Sequence, residues 1–154
     1  MLCMGSHACR DDRLNWKSEA KSCAFEYWNI MKKIVVDLDG TLTVDDPSVS
    51  YDRKEPRKDV VEMLRSYKSQ GFEVIVATAR NMRTHNGNIG KINAITLPGV
   101  IDWLKLHEVP YDEIYIGKPW CGTEGFYVDD KAIRPDEFVR MSYQEICEMV
   151  GITK

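Results

Sequence analysis

Short apolar runs alternate with segments of helical period from residue 31 to the end of the chain. Four runs have the length and composition of buried strands: residues 34–36, 72–77, 114–116 and 126–128. Three segments are predicted as helices: residues 56–70 from the helical spacing of their apolar residues, and residues 97–107 and 142–150 from the signals at their ends. Strands that alternate with helices predict an α/β fold, in which a Rossmann-like parallel sheet is covered by helices on both faces.

Local signals mark the ends of these helices. Pro56 and Gly71 flank the first helical segment, and Pro98 stands in the first turn of the second. Ser142 and Glu145 form a capping-box sequence that opens the last helix.

The composition limits the kinds of partner that we expect for this chain. A chain of 154 residues, with 44% hydrophobic and 29% charged residues, is long enough to bury one core. The formal net charge is -3 and no basic block is present, so we expect no nucleic-acid partner. The longest apolar runs are of strand length, so we expect no membrane-spanning segment and no secretory signal.

The first thirty residues differ from the rest because they lack a sustained strand or helix period. We divide the chain into an extension or leader of unknown role, residues 1–30, and one domain, residues 31–154. A short helix at residues 14–27 is the one element predicted for the extension.

The chain has five cysteines, an odd number, and no two of them form a C-x-x-C motif. This pattern argues against a disulfide framework and a zinc site, and it favours a cytoplasmic location. Cys121 lies three residues after Lys118 and is a candidate reactive thiol, but an ordinary loop cysteine is the favoured interpretation.

Polar side chains follow every predicted strand. They are Asp37 and Asp39 after the first strand, Thr78 after the second, Lys118 after the third, and Asp129 and Asp130 after the fourth. Ligands of open parallel sheets bind beyond the carboxyl ends of the strands, so we expect these groups to share one site.

This set of side chains suits phosphoryl transfer to a carboxylate. Crowded carboxylates and a phosphate need a cation, and hard oxygen ligands favour Mg²⁺. An acid two residues beyond the nucleophile can protonate the leaving oxygen and then deprotonate water. The turn at Gly40 and Thr41 can add backbone donors to a bound phosphate.

The motif D-x-D-G-T at residues 37–41 resembles the first motif of haloacid dehalogenase (HAD) phosphatases. Residues 74–78 resemble the second motif of the family, Lys118 the third, and residues 127–130 the fourth, in the family's order. The resemblance covers residues 31–131 and implies the HAD core fold.

The resemblance also implies the roles of the site residues. Asp37 is expected to attack phosphorus, and Asp39 to act as general acid and base. Thr78 is expected to donate to the phosphoryl group, which Lys118 orients and neutralises. The implied Mg²⁺ ligands are Asp37, the backbone carbonyl of Asp39, Asp129 and Asp130. Which of the last two binds the metal directly is left open.

A narrower resemblance rests on residues 78–81, 87–93 and 117–122, which are similar to bacterial capsule polysaccharide biosynthesis phosphatases. It implies a small phosphorylated substrate, such as a sugar phosphate. Arg80, Asn81 and Lys91 are the predicted substrate-binding side chains, together with the turn at Gly40 and Thr41. A solvated polar loop is the alternative for residues 81–93, and pairing with a surface acid is the alternative for Arg80.

The intervals between motifs leave no room for a full cap domain, since 41 positions separate Asp37 from Thr78 and 40 separate Thr78 from Lys118. Residues 43–55 can supply only a flap, with Tyr51 near its tip. An uncapped site favours either a large substrate or a homo-oligomer whose neighbouring subunit covers the site.

Two other functions use similar residues. A receiver-like phosphoacceptor also combines aspartates, a threonine and a lysine, but its acceptor aspartate follows a later strand. A phosphomutase on the same scaffold must retain its intermediate, which the missing cap disfavours. A phosphomonoester hydrolase is therefore the preferred function.

Overall fold

The structure, a computed structural model, describes residues 32–152. The predicted extension at residues 1–30 and its short helix therefore lie outside the described residues, and both stay predictions.

Three parallel strands form the sheet of the domain. They are β1 (Lys33–Val36), β2 (Glu73–Thr78) and β3 (Glu113–Ile116), and β2 lies in the centre. Val36 pairs with Val76, and Thr78 pairs with Ile116, so the three carboxyl ends reach the same edge. Three of the four predicted strands and the α/β class are thereby confirmed.

Five helices accompany the sheet in the described part of the chain. They are α1 (Lys58–Ser69), α2 (Ile89–Ile95), α3 (Leu97–Leu106), α4 (Pro135–Arg140) and α5 (Tyr143–Met149). A single 3₁₀ turn, Tyr51–Arg53, precedes α1. Within residues 32–152, none of the helices has the length and apolar character needed to cross a membrane.

The predicted helices α1, α3 and α5 are confirmed, and their end signals act as expected. Pro98 lies in the first turn of α3. The Glu145 side chain accepts from Ser142 N at 2.7 Å, and Ser142 Oγ accepts from Glu145 N at 3.3 Å. This reciprocal capping satisfies backbone donors that the first turn of α5 would leave unpaired.

The core lies between α1, α3 and one face of the sheet. Its most completely enclosed side chains come from all three elements: Val60, Leu64, Val74, Val76, Trp103 and Leu104. The indole of Trp103 donates to the carbonyl of Lys54 at 2.7 Å, which ties the chain before α1 to α3. This packing encloses β2, whose last residue is Thr78.

The prediction of a fourth strand at residues 126–128 is wrong. Phe126 and Val128 are 80% and 88% exposed, and the segment belongs to no strand. Local bonds hold the segment as a loop, since the Tyr127 hydroxyl donates to Pro119 O at 2.6 Å. A run of three apolar residues has too little period to separate a strand from a loop.

Candidate active site

The first motif forms a tight turn directly after β1. Leu38 and Leu42 are fully buried and anchor the turn, while Thr43 N donates to Leu38 O at 3.0 Å. Gly40 has φ +74°, a conformation that costs glycine little. The turn reverses the chain so that Asp37 and Asp39 both lie at the carboxyl end of β1.

Lys118 contacts the predicted nucleophile. Its Nζ lies 3.2 Å from Oδ1 of Asp37, although 81 positions separate the two residues. Burial raises the pKa of Asp37, and the Asp39 charge adds to that shift, while the charge and hydrogen bond of Lys118 oppose it. Lys118 therefore favours the ionised carboxylate, which is the form that can act as a nucleophile.

Thr78 joins the ends of β2 and β3. Its carbonyl accepts from both Gly117 N and Lys118 N at 3.1 Å. The Thr78 side chain is almost fully buried at the same edge, where its Oγ1 accepts from Arg80 N at 3.0 Å. These bonds set the path of the chain after β3 and so bring Lys118 to Asp37.

Asp39 is held by Arg80 rather than left free. Nε of Arg80 donates to Oδ2 of Asp39 at 3.0 Å, and Nη2 donates to Oδ1 at 2.6 Å. Arg80 is only 5% exposed, so this is a paired, mostly buried cation. Arg80, for which the sequence left substrate binding and pairing with a surface acid open, thus pairs with Asp39.

The other predicted substrate-binding residues are more dispersed. Asn81 has φ +62° and donates from Nδ2 to Thr96 Oγ1 at 2.8 Å, so its side chain joins the loop after β2 to the start of α3. Lys91 lies in the first turn of α2, and its side chain is exposed. Thr41 is half-buried within the turn that contains Gly40.

Asp129 and Asp130 do not join the cluster. Both are exposed, and Asp129 Oδ1 accepts from Lys131 N at 2.7 Å, which closes a local turn. Residues 32–152 contain no group of three His, Cys, Asp or Glu side chains placed to hold a metal ion. The cause is the loop at residues 126–128, which leaves the fourth motif outside the sheet.

The oxygen donors at the end of β1 fit part of a magnesium site. The Asp37 carboxylate and the Asp39 carbonyl are hard oxygens, and Mg²⁺ often takes only one or two protein carboxylates beside substrate phosphate oxygens. The four-ligand set that includes Asp129 and Asp130 stays a prediction.

Two aromatic rings next to these cations were not predicted as site residues. The Arg80 guanidinium carbon lies 4.5 Å from the centroid of the Tyr51 ring, and Lys118 Nζ lies 4.2 Å from that of Tyr127. Both distances are in the range of cation–π contacts. The position of Tyr51 in the flap was the only sequence signal for the first contact.

Comparisons with known proteins identify relatives of this domain. Residues 34–100 match the sequence model of the haloacid dehalogenase-like hydrolases. A crystal structure of a structural-genomics target from Vibrio cholerae is 56% identical and has a TM-score of 0.76. The match covers 79% of this chain and 98% of the target. No curated protein matches the chain.

A more distant likeness is to the Pnkp1/Rnl/Hen1 complex. One of its chains is 23% identical over 66% of this chain and 32% of its own length, with a TM-score of 0.43.

Proposed function

We propose that this chain, whose residues 34–100 match the haloacid dehalogenase-like hydrolases, is a member of that family and a magnesium-dependent phosphomonoester hydrolase that forms an aspartyl phosphate on Asp37. The observation that carries the proposal is the 3.2 Å contact between Lys118 Nζ and Asp37 Oδ1 beside the end of β2. An ionised carboxylate paired with a cation at the edge of a parallel sheet suits attack on a phosphoryl group.

The proposed first step transfers the phosphoryl group to the protein. An oxygen of Asp37 attacks phosphorus, the bond to the leaving oxygen breaks, and Asp39 gives that oxygen a proton. Lys118 and the Thr78 hydroxyl interact with the phosphoryl oxygens as charge shifts toward the leaving group. Bound Mg²⁺ would neutralise charge shared by the carboxylate and the phosphoryl oxygens.

The proposed second step releases phosphate. Asp39, now a carboxylate, takes a proton from water, whose oxygen attacks phosphorus and frees the carboxylate of Asp37. Thr78 is held by main-chain bonds to Gly117 and Lys118, so the two donors act from a fixed frame in both steps.

The central experiment is turnover of p-nitrophenyl phosphate and a panel of sugar phosphates and nucleotides, with Mg²⁺ and with EDTA. Asp37→Asn should lower kcat by at least about 10³-fold, because the amide is no nucleophile. Asp102→Asn is the matched control, since Asp102 is exposed on α3. Equal activity of Asp37→Asn and wild type would refute the assigned nucleophile.

The same experiment separates the alternative functions. A phosphoacceptor would give a long-lived phosphate on Asp37 with little free phosphate. A mutase would give an isomeric sugar phosphate. Activity that is unaffected by EDTA would remove Mg²⁺ from the proposal.

We further propose that the substrate is a sugar phosphate of capsule or polysaccharide biosynthesis and that the site lacks a full cap. The substrate class is supported by the narrower resemblance at residues 78–81, 87–93 and 117–122, and the missing cap by the short path from Asp37 to Thr78, which contains the turn, the 3₁₀ turn, α1 and β2. A preference for sugar phosphates over nucleotides in the substrate panel would support the substrate class.

A cytoplasmic location stays a prediction from the cysteine pattern.

A further inference from the structure

The bidentate pair of Arg80 with Asp39 fixes the plane of the Asp39 carboxylate. Two parallel N–H donors of one guanidinium bind the two carboxylate oxygens, an arrangement that sets orientation as well as distance. Each oxygen keeps a second lone pair, at which a proton can be gained or lost. The pair therefore leaves Asp39 able to exchange a proton while restricting where that proton lies.

Arg80 is itself held from several directions. Its main-chain N–H donates to Thr78 Oγ1, and its side chain is 3% exposed. The Tyr51 ring covers the guanidinium, with the Arg80 guanidinium carbon 4.5 Å from the ring centroid. Arg80 thus lies between Asp39 and the flap, residues 43–55.

The flap next to Arg80 is attached to the core. Lys54 follows the 3₁₀ turn that contains Tyr51, and its carbonyl accepts from the buried indole of Trp103 at 2.7 Å. Lys54 Nζ also lies 5.3 Å from the centroid of the Tyr51 ring. The Tyr51 ring, which is 46% exposed, therefore packs on Arg80 from a segment that Lys54 joins to α3.

We propose that Arg80 is a positioning residue for Asp39 and that Tyr51 holds Arg80 in place from the flap. This inference rests on the proposed function, because it concerns the acid that protonates the leaving oxygen. It differs from the sequence prediction, in which Arg80 binds substrate. The guanidinium edge that would recognise a substrate anion in a bidentate manner already binds Asp39.

The experiment compares kcat/KM over a series of aryl phosphates whose leaving phenols range from p-nitrophenol to phenol. A good leaving group needs little help from an acid, whereas phenol needs a well-placed proton. Arg80→Lys should lose about 3-fold or less with p-nitrophenyl phosphate and about 10- to 100-fold with phenyl phosphate, because displacement of an acid by about 1 Å costs that much. Arg140→Lys on exposed α4 is the control for the same exchange.

Two further variants test whether Tyr51 holds Arg80 in place. Tyr51→Ala should steepen the dependence on the leaving group in the same direction, and Tyr51→Phe, which keeps the ring, should recover most of the loss. Tyr115→Ala, which removes an exposed ring from β3, controls for loss of a surface tyrosine. These variants also cover the case in which Arg80→Lys fails to fold.

A double variant tests whether Arg80 acts through Asp39. When Asp39→Asn has already removed the acid, adding Arg80→Lys should cost less than about 2-fold with phenyl phosphate. An equal loss for every leaving group, mainly through KM, would overturn the inference and assign Arg80 to substrate binding. If folded wild-type protein hydrolyses no phosphomonoester, the proposed function fails, and the inference fails with it.

Discussion

Gly117 determines how Lys118 approaches Asp37, because it is the residue at which the chain leaves β3. Its φ of +111° is unfavourable for any residue with a side chain. A Cβ at this position would also lie 2.6 Å from Cδ1 of Ile89 in α2. Backbone conformation therefore selects glycine next to the predicted catalytic lysine, and the exposed end of the Ile89 side chain would have to move to admit a Cβ.

We predict that Gly117→Ala destabilises the fold by about 1–3 kcal/mol and lowers kcat by about 10-fold or more, since Lys118 would be displaced. Urea denaturation and p-nitrophenyl phosphate turnover measure the two effects. Adding Ile89→Ala relieves the contact but not the backbone strain, so recovery should be partial. Gly99→Ala in α3, where an added Cβ meets nothing within 4 Å, should be neutral or stabilising.

Sequence reasoning predicted which residues are brought together at this scale better than it predicted their contacts. Asp37 follows β1, Thr78 ends β2 and Lys118 lies two residues beyond β3, so the direction of the chain places them at one edge. The partner that a side chain contacts beyond a strand end depends on the turn and on its hydrogen bonds, and Arg80 lies in such a turn. Its pairing with Asp39 could therefore not be derived from spacing.

Asp112 joins three elements just before β3. Its Oδ2 accepts from Val74 N at 2.8 Å, its own N–H donates to Val74 O at 2.8 Å, and its Oδ1 pairs with Lys68 at the end of α1. The hydrogen bond from Lys68 lowers the pKa of Asp112, and the bond from Val74 N adds to that effect against partial burial. The carboxylate thus connects α1, β2 and the start of β3.

We predict that Asp112→Ala lowers the free energy of unfolding by about 1–2 kcal/mol at pH 7, a value reduced for solvent screening of the partly exposed pair. Because the folded pKa is lowered, this contribution is present above the ordinary carboxyl value of about 3.9. It is lost as the pH falls through the lowered value.

Urea denaturation between pH 7 and pH 3 measures this dependence. The difference between wild type and Asp112→Ala should shrink toward the acid end. Asp102→Ala, at an exposed position of α3, should differ from wild type by less than about 0.5 kcal/mol throughout. A difference that stays constant over the range would show that the carboxylate charge contributes nothing.

The elements that the sequence missed share a physical cause. Helices α2 and α4 have seven and six residues, which is too short for an apolar period to repeat, whereas α5, also of seven residues, was predicted from its capping-box sequence. In α2 only Ile92 is buried, and the helix begins where Asn88 Oδ1 accepts from Lys91 N. Residues 126–128, in contrast, were wrongly predicted as a strand, because the three residues have the apolar composition of a strand although they form a loop.

At the scale of the whole molecule, the order of strands and helices along the chain was enough to predict most of the fold. Each parallel strand needs a crossover, and α1 supplies one between β1 and β2, while α2 and α3 supply the next. The sequence could therefore place the strand ends together without knowledge of the packing. It could not predict the fourth motif's position, since that depends on whether residues 126–128 pair with a strand.

The exposed apolar side chains of this loop bear on how the molecule behaves in solution. Phe126 and Val128 flank Tyr127, whose ring contacts the predicted catalytic Lys118, and both are largely exposed in the described chain. Large exposed apolar groups near an open site favour contact with another protein surface. We propose that a second copy of the chain covers them, in line with the oligomer expected from the sequence.

We predict that the full chain sediments as an oligomer at micromolar concentration and that Phe126→Glu combined with Val128→Glu shifts it toward the mass of one chain. The buried contact would lose apolar area and gain unpaired charge, which commonly costs several kcal/mol. Leu106→Glu, on the exposed end of α3, is the control. If wild type is monomeric at every concentration while turnover persists, no neighbouring subunit covers the site, and a large substrate becomes the better account of water exclusion.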